Sequence, residues 1–346
     1  MYNIEERLVN HTMRQYLRRI KVMWEFLAQV NIFFQSLGDW LFYPMRLFSF
    51  LGDEEFYLFI MPAIYWCVDS SIGLRMGMLL MLSNGLNGFF KFVFHAPRPS
   101  WITDRVAALV HENSFGVPSG HSQHAVVMWG FLYAQLRKTW LRVLFICIIV
   151  FIGLSRLYLG AHFIVDVLVG WLVGLFILLV FLWIEKKYQP AILAWTSRKK
   201  LIVAFIISIL LIAVPGIVKT LNGGYVLPID WQTRFETATE GELLSPFSIK
   251  GAITASGAWM GIIAASVIFQ KKIQLGKINL HLGKKTMRFM IGVIGVAGLY
   301  LGLKLVFPDN EDLISGVFRY IRYFMIGFWI PLVDPLIFQR FGLHKD

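Results

Sequence analysis

Long apolar runs separated by short charged connections set the pattern of this chain. A helix needs ~20 apolar residues to cross a bilayer core of ~30 Å. About ten runs approach that length: 24–50, 55–68, 73–94, 119–136, 140–154, 162–184, 201–218, 251–270, 289–307 and 317–338. The first contains Pro44 and Arg46 in "WLFYPMRLF" and is expected to kink there or to lie partly in the membrane interface. The pattern predicts an all-α integral membrane protein.

The connections alternate in charge. The N-terminus, Arg75, "RKTWLR" at 137–142, the stretch 185–200 and "KKIQLGKINLHLGKKTMR" at 271–288 are basic, whereas "GDEE" at 52–55, the loop 220–250 and "PDNEDL" at 308–313 are acidic or neutral. Because basic connections stay in the cytoplasm, both termini are expected there. By the same parity the loop before "PSGH" and the "SRLYLGAH" connection share the opposite face, and two loops on one face can build one site.

Composition narrows the class. With 57% hydrophobic and only 16% charged residues, 30 Phe and 12 Trp among them, a soluble domain is excluded. The net charge of +12 sits between apolar runs, which argues against a nucleic-acid partner. Cys67 and Cys147 both fall in apolar runs and suggest neither a disulfide framework nor a zinc site. The first 23 residues are basic, with Leu8, Met13, Leu17 and Val22 able to line one side of an amphipathic helix on an anionic membrane surface. They lack a small-residue cleavage site and are expected to remain in the mature chain. A glycosylation sequon at Asn10 is discounted, since a basic segment faces the cytosol. Gly257 with Gly261, and Gly298 with Gly302, are two small-residue pairs suited to close helix contact.

Three clusters place polar groups at the edges of apolar helices, where they are costly and usually functional. "KFVFHAPRPSW" carries Lys91 and Arg98, "PSGH" carries Ser119, Gly120 and His121, and "SRLYLGAHFIVD" carries Arg156, His162 and Asp166. His162 and Asp166, four apart, share a helix face. A carboxylate beside an imidazole fixes its tautomer and leaves the other nitrogen as nucleophile or base. Gly170 and Gly174 continue that stripe, so the pair is expected to face other helices. Lys91, Arg98 and Arg156, with the Ser119 hydroxyl and the N–H groups around Gly120, make a cradle for a transferring phosphoryl group. His121, in the first turn after Pro118, is placed to protonate a leaving oxygen.

In this order and spacing, the three clusters resemble the signature of the type 2 phosphatidic acid phosphatase family, which includes glucose-6-phosphatase, sphingosine-phosphate phosphatases and vanadium haloperoxidases. The resemblance covers about residues 24–187 and implies a six-helix phosphatase core, with residues 188–346 as an extension of about four further transmembrane helices. It implies that His162 attacks phosphorus to form a phosphohistidine, that Asp166 orients it, and that His121 protonates the departing group. It also implies phosphate binding by Lys91, Arg98, Ser119, Gly120 and Arg156, with no metal and no cofactor.

The substrate expected is a lipid phosphate or lipid pyrophosphate reaching the non-cytoplasmic face sideways from the bilayer. A phosphotransferase using the same site and an anionic lipid transporter are the competing readings. A transporter calls for charged or broken helices near the midplane of both halves, whereas the polar residues here gather at one face of one half. A vanadate haloperoxidase is disfavoured by the membrane setting. Compactness points to a bacterial plasma membrane.

Around the clusters, His124, His95 and His111 are expected in packing or loop roles. Asn84 and Asn87 either support Lys91 or pin neighbouring helices. Lys304, Arg319 and Arg322 either meet a headgroup or pair with Asp309, Glu311 or Asp312. Trp101 and "ENSFG" at 112–116 are left open as shapers of the pocket mouth.

Overall fold

The computed structural model describes residues 22–269, 276–308, 310 and 312–344. The predicted amphipathic segment and the Asn10 sequon fall outside them. Among the described residues the chain is all-α, apart from one isolated bridge between Asp69 and Lys277.

Helix α1 spans 22–36. After it come α2 (Phe42–Phe50), α3 (Glu54–Cys67), α4 (Ser70–Phe94), the single turn α5 (Pro99–Ile102), α6 (Gly120–Gln135), α7 (Thr139–Tyr158) and α8 (Ile164–Ala194). The extension holds α9 (Ser197–Leu221), α10 (Ile229–Ala238), α11 (Lys250–Phe269), α12 (Leu282–Val306) and α13 (Leu313–Phe328), which passes through a π-turn, Trp329–Val333, into α14 (Asp334–Arg340).

The run 24–50, expected as one span, is two helices. Gly38 takes φ 106° and a 3-10 turn, Asp39–Leu41, follows it. Pro44 lies in the first turn of α2, where its missing N–H costs nothing. The glycine, therefore, makes the break. By length and apolarity six helical stretches suffice to cross a membrane: α7, α8, α9, α11, α12 and the run Leu313–Arg340. Helix α4 is 25 residues long but buries Ser83 and Asn87, and α3 has only 14 residues. These two are surrounded by protein, so their sequences need not satisfy lipid.

Helix α4 is the wall shared by both halves: α3, α6 and α8 pack on it from one side, α9 and α11 from the other. Helices α6 and α8 meet closely at Gly170 and Gly174, where a Cβ would stand 2.7 Å from the Ser119 carbonyl oxygen and 2.5 Å from that of Gln123. The glycine stripe thus faces protein, as its spacing predicts. Gly257 likewise meets the backbone of α13 at Tyr320. Gly298 and Gly302 have nothing within 4 Å, so that second pair makes no helix contact.

The connections sort by end. Asp53 bonds His121, Asn222 bonds the Phe92 carbonyl and Asn113 bonds the Leu243 carbonyl, gathering the acidic connections around the polar clusters. The Asp69–Lys277 bridge and the Arg75–Glu185 ion pair (2.9 Å) lie at the other, basic end.

Candidate active site

His162 and Asp166 form the deepest part of the site, and neither has accessible surface. Asp166 lies in the first turn of α8, and its Oδ2 accepts from the Phe163 backbone N–H at 3.0 Å while facing His162 Nδ1 at 3.0 Å. The carboxylate therefore caps the helix and holds the ring together. On the other side His162 Nε2 is 3.1 Å from Arg98 Nη1. A guanidinium can only donate, so Nε2 accepts and carries a lone pair, and the proton resides on Nδ1 against Asp166.

Arg98 and Arg156 are 2% and 1% exposed, deep enough that every N–H needs an acceptor. Arg98 donates to the carbonyls of Ser114 and Ala161, to Ser114 Oγ and to Glu112 Oε2 (2.9 Å). Arg156 donates to Ser49 Oγ (2.6 Å) and to Glu112 Oε1. One carboxylate thus bridges both guanidiniums. Burial alone would raise the Glu112 carboxyl, but Arg98 and Arg156 outweigh it and hold it well below the usual carboxylate range. Lys91 reaches the same place through Ser114 Oγ (2.8 Å).

Ser119 is the N-cap of α6: its Oγ accepts from the Ser122 N–H, and its own N–H donates to the Asp166 carbonyl at 3.0 Å. This bond ties "PSGH" to the His-Asp helix. The Ser119 hydroxyl is fully buried in the cap, whereas the N–H groups of Gly120 and His121 have no acceptor within the helix. A Cβ on Gly120 would meet nothing closer than 3.5 Å; its smallness leaves the backbone approachable rather than easing a clash. His121 Nε2 bonds Asp53 Oδ1 at 2.5 Å, and its Nδ1 lies 4.0 Å from Glu112 Oε1. Both imidazoles therefore flank the Glu112–arginine junction, and all eight sequence-predicted residues converge on one end of the bundle. Among the described residues, no group of three or more His, Cys, Asp or Glu side chains is gathered to hold a metal.

Several supporting residues were not singled out from the sequence. Glu112 and Asp53 contribute there only as parts of polar connections. Asn31 Nδ2 donates to the carbonyls of Leu157 and His162 (2.9 Å each), and Gln35 Nε2 to those of Ala107 and Tyr158, so α1 binds the two catalytic loops together. Their spacing of four in an apolar run was the available signal. Asn87 Nδ2 donates to the Pro118 carbonyl and to Gln123 Oε1, pinning α6 to α4 rather than supporting Lys91. His124 is buried against Ser83 Oγ (2.8 Å), a packing role. His95 stacks on Tyr225, and His111 is exposed. Arg319 and Arg322 lie over the Tyr323 ring, and Asp309 and Glu311 are outside the described residues.

The loop 220–250 lies across this end. Its helix α10 sets Trp231 and Phe235 against Trp101 at 5.9 and 6.3 Å between ring centroids, and Phe115 packs on Phe247 at 4.9 Å. Asn113 fastens it through the Leu243 carbonyl and the Ser245 N–H, and Arg234 pairs with Asp104. Between Arg98 and Glu112 on one side and Phe235 and Ala238 on the other, a cavity of only about 10 Å³ remains, about enough for one water. The extension is therefore part of the site's enclosure.

Residues 72–190 match a family described as PAP2 superfamily, and residues 253–346 one described as PAP2 superfamily phosphatase, transmembrane extension. Sphingosine-1-phosphate phosphatase 1 of Mus musculus is 25% identical over 333 residues, 88% of this chain and 73% of that protein. Phosphatidylglycerophosphatase B of Bacillus subtilis (strain 168) is 34% identical over 126 residues, 33% of this chain and 60% of that protein. Glucose-6-phosphatase 3 of Homo sapiens is 28% identical over 165 residues, covering 40% and 47%. No solved structure matches this chain.

Proposed function

The chain belongs to the PAP2 superfamily, and we propose that it is a membrane phosphatase acting on a lipid phosphomonoester or pyrophosphate through a phosphohistidine on His162. The observation that carries this reading is the unprotonated His162 Nε2 beside an arginine pair already bridged by an anion. A carboxylate spanning two guanidiniums marks where two oxygens of a phosphoryl group would sit.

In the proposed reaction the substrate phosphate exchanges with Glu112. The Nε2 lone pair forms a bond to phosphorus as the bond to the lipid oxygen breaks, and His121 gives that oxygen a proton. The ring becomes cationic, and Asp166 offsets the charge. Water then loses a proton to His121 and attacks phosphorus, the P–N bond breaks, and inorganic phosphate departs. Lys91, Arg98, Arg156 and the N–H groups of Gly120 and His121 stabilise the equatorial oxygens. These cations supply the charge a metal ion would otherwise bring, so the reaction is assigned as metal-independent. The active site is assigned to the non-cytoplasmic face, on the strength of the basic connections at the opposite end.

The test is phosphate release by the purified chain from phosphatidic acid, phosphatidylglycerophosphate, a sphingoid phosphate and a prenyl pyrophosphate, compared with His162→Ala. Release from at least one substrate is expected, with none above background in the variant. Equal rates refute the nucleophile.

A further inference from the structure

Away from the catalytic cluster, α9, α11 and α13 enclose a second cavity of about 430 Å³. Phe205, Ile209, Ile253 and Val317 are among its walls. From Phe205 to Lys219 its α9 side runs about 21 Å at ~1.5 Å per residue, more than half of a ~30 Å bilayer core. Phe205, Ile209 and Val317 are 53%, 46% and 51% exposed, so this shaft opens sideways, where lipid would lie.

Its mouth is cationic. Lys219, Lys250 and Arg319 line it, and α11 and α13 both begin there, adding the partial positive charge of two helix N-termini. The one carboxylate, Asp312, already accepts from the Ser315 N–H at 2.6 Å as the cap of α13. An apolar shaft below a cationic mouth complements an anionic amphiphile with a long chain.

We propose that this cavity binds one anionic phospholipid of the surrounding bilayer, with an acyl chain along α9 and the phosphate against Lys219 and Lys250. The site is distinct from the catalytic one and does not rest on the phosphatase reading, since no residue of the His162–Arg98–His121 cluster lines it. It adjoins the catalytic enclosure, however. Ile249 lines the cavity and also packs on the cluster of Phe92, Trp101 and Phe115. Lys219 precedes the covering segment, and Ser248 and Lys250 close it, so a lipid seated here touches both of the cover's feet.

The experiment is native mass spectrometry of the full chain in detergent, loaded with palmitoyl-oleoyl phosphatidylglycerol or the matching phosphatidylcholine. One phosphatidylglycerol should stay bound per chain, at least tenfold more tightly than phosphatidylcholine. Two variants interrogate the two halves of the site. A Cβ at Gly316 would meet only Ile253 Cδ1, at 3.4 Å, so Gly316→Leu grows into the cavity and should displace the chain. The double variant Lys219→Gln/Lys250→Gln, at exposed or half-exposed positions, should lower retention at least fivefold and decides the matter alone if the leucine variant fails to fold. Inorganic phosphate at millimolar concentration should not displace the lipid. Equal retention of the two lipids, wild-type retention by the lysine variant, or displacement by free phosphate would each overturn the proposal.

Discussion

Replacing Asp166 with asparagine removes the charge behind the proposed nucleophile while sparing the fold. The carboxylate oxygen that faces His162 Nδ1 at 3.0 Å also caps the Phe163 N–H at 3.0 Å, and an amide oxygen can take over both contacts. What it cannot supply is the negative charge. When the ring becomes cationic on attack, a unit charge at 3.0 Å contributes about 5.5 kcal/mol at an effective dielectric of ~20. At ~1.36 kcal/mol per decade this is about 10⁴ in rate. If the amide instead turns its NH₂ toward the ring, Nδ1 must accept and the proton moves to Nε2, where it meets the donor Arg98 Nη1. Either orientation disables the lone pair or leaves the cation unopposed.

The expected outcome is therefore a fall in kcat of about 10³ to 10⁴ with KM changed by less than about fivefold, since the loss is confined to the transition state. Phosphate release from the preferred lipid phosphate measures both constants, and a thermal melt within a few degrees of wild type establishes folding. A kcat within tenfold of wild type in a folded Asp166→Asn protein would refute the assignment.

Asp53→Asn, which keeps a hydrogen bond to His121 Nε2 but removes its charge, should lower kcat about 10- to 100-fold and shift the acid limb of the pH–rate profile; an unchanged profile would dissociate Asp53 from His121. Chelation by EDTA should leave phosphate release unaltered, and loss of activity restored by a divalent cation would contradict a metal-free reaction. Vanadate should inhibit competitively, and noncompetitive inhibition would place its site elsewhere. Glu112 has a depressed carboxyl in the folded chain, so its stabilisation is full above the unfolded value of ~4.3 and fades as pH falls from there through the folded value. The gap in thermal stability between wild type and Glu112→Gln should hold from pH 7 to 5 and narrow only below, and a gap already gone at pH 5.5 would show that Glu112 is not held ionised by the arginines.

Much of the architecture is legible in the chain because period and spacing are local quantities. The stripe His162, Asp166, Gly170 and Gly174 fixes one face of α8 whatever surrounds it, and the structure sets that face against α6. Charge parity sorts the connections because each span reverses the end at which the chain emerges. Three features resist the same treatment. The break at Gly38 depends on a backbone torsion that Pro44, four residues from a true turn, obscures. Helices α3 and α4 look weak as spans because their neighbours are protein. The helix α10 carries its signal in Trp231 and Phe235, four apart, but their partner Trp101 is 130 residues earlier, and nothing in the local pattern pairs them.

The candidate site shows a sharper division between what is local and what is not. Its cations and imidazoles are readable because they fall in short motifs, but their counter-charges sit in loops. Two guanidiniums with almost no accessible surface cannot stand without an acceptor between them, so the cradle itself demands an anion in the resting chain. Between Arg98 and His121 the sequence offers only Asp104 and Glu112. Asp104 is 80% exposed and pairs with Arg234 on the cover, which leaves Glu112. That demand has a consequence for the proposed chemistry. An incoming phosphate does not enter a bare cationic pocket but replaces one carboxylate, and it gains only the difference between two anions on the same arginines. A singly charged anion of similar size gains little by that exchange, whereas a dianionic phosphate monoester gains an additional unit charge against Lys91, Arg98 and Arg156. Discrimination between anions therefore follows from the internal counter-ion as much as from the cations that the motifs display.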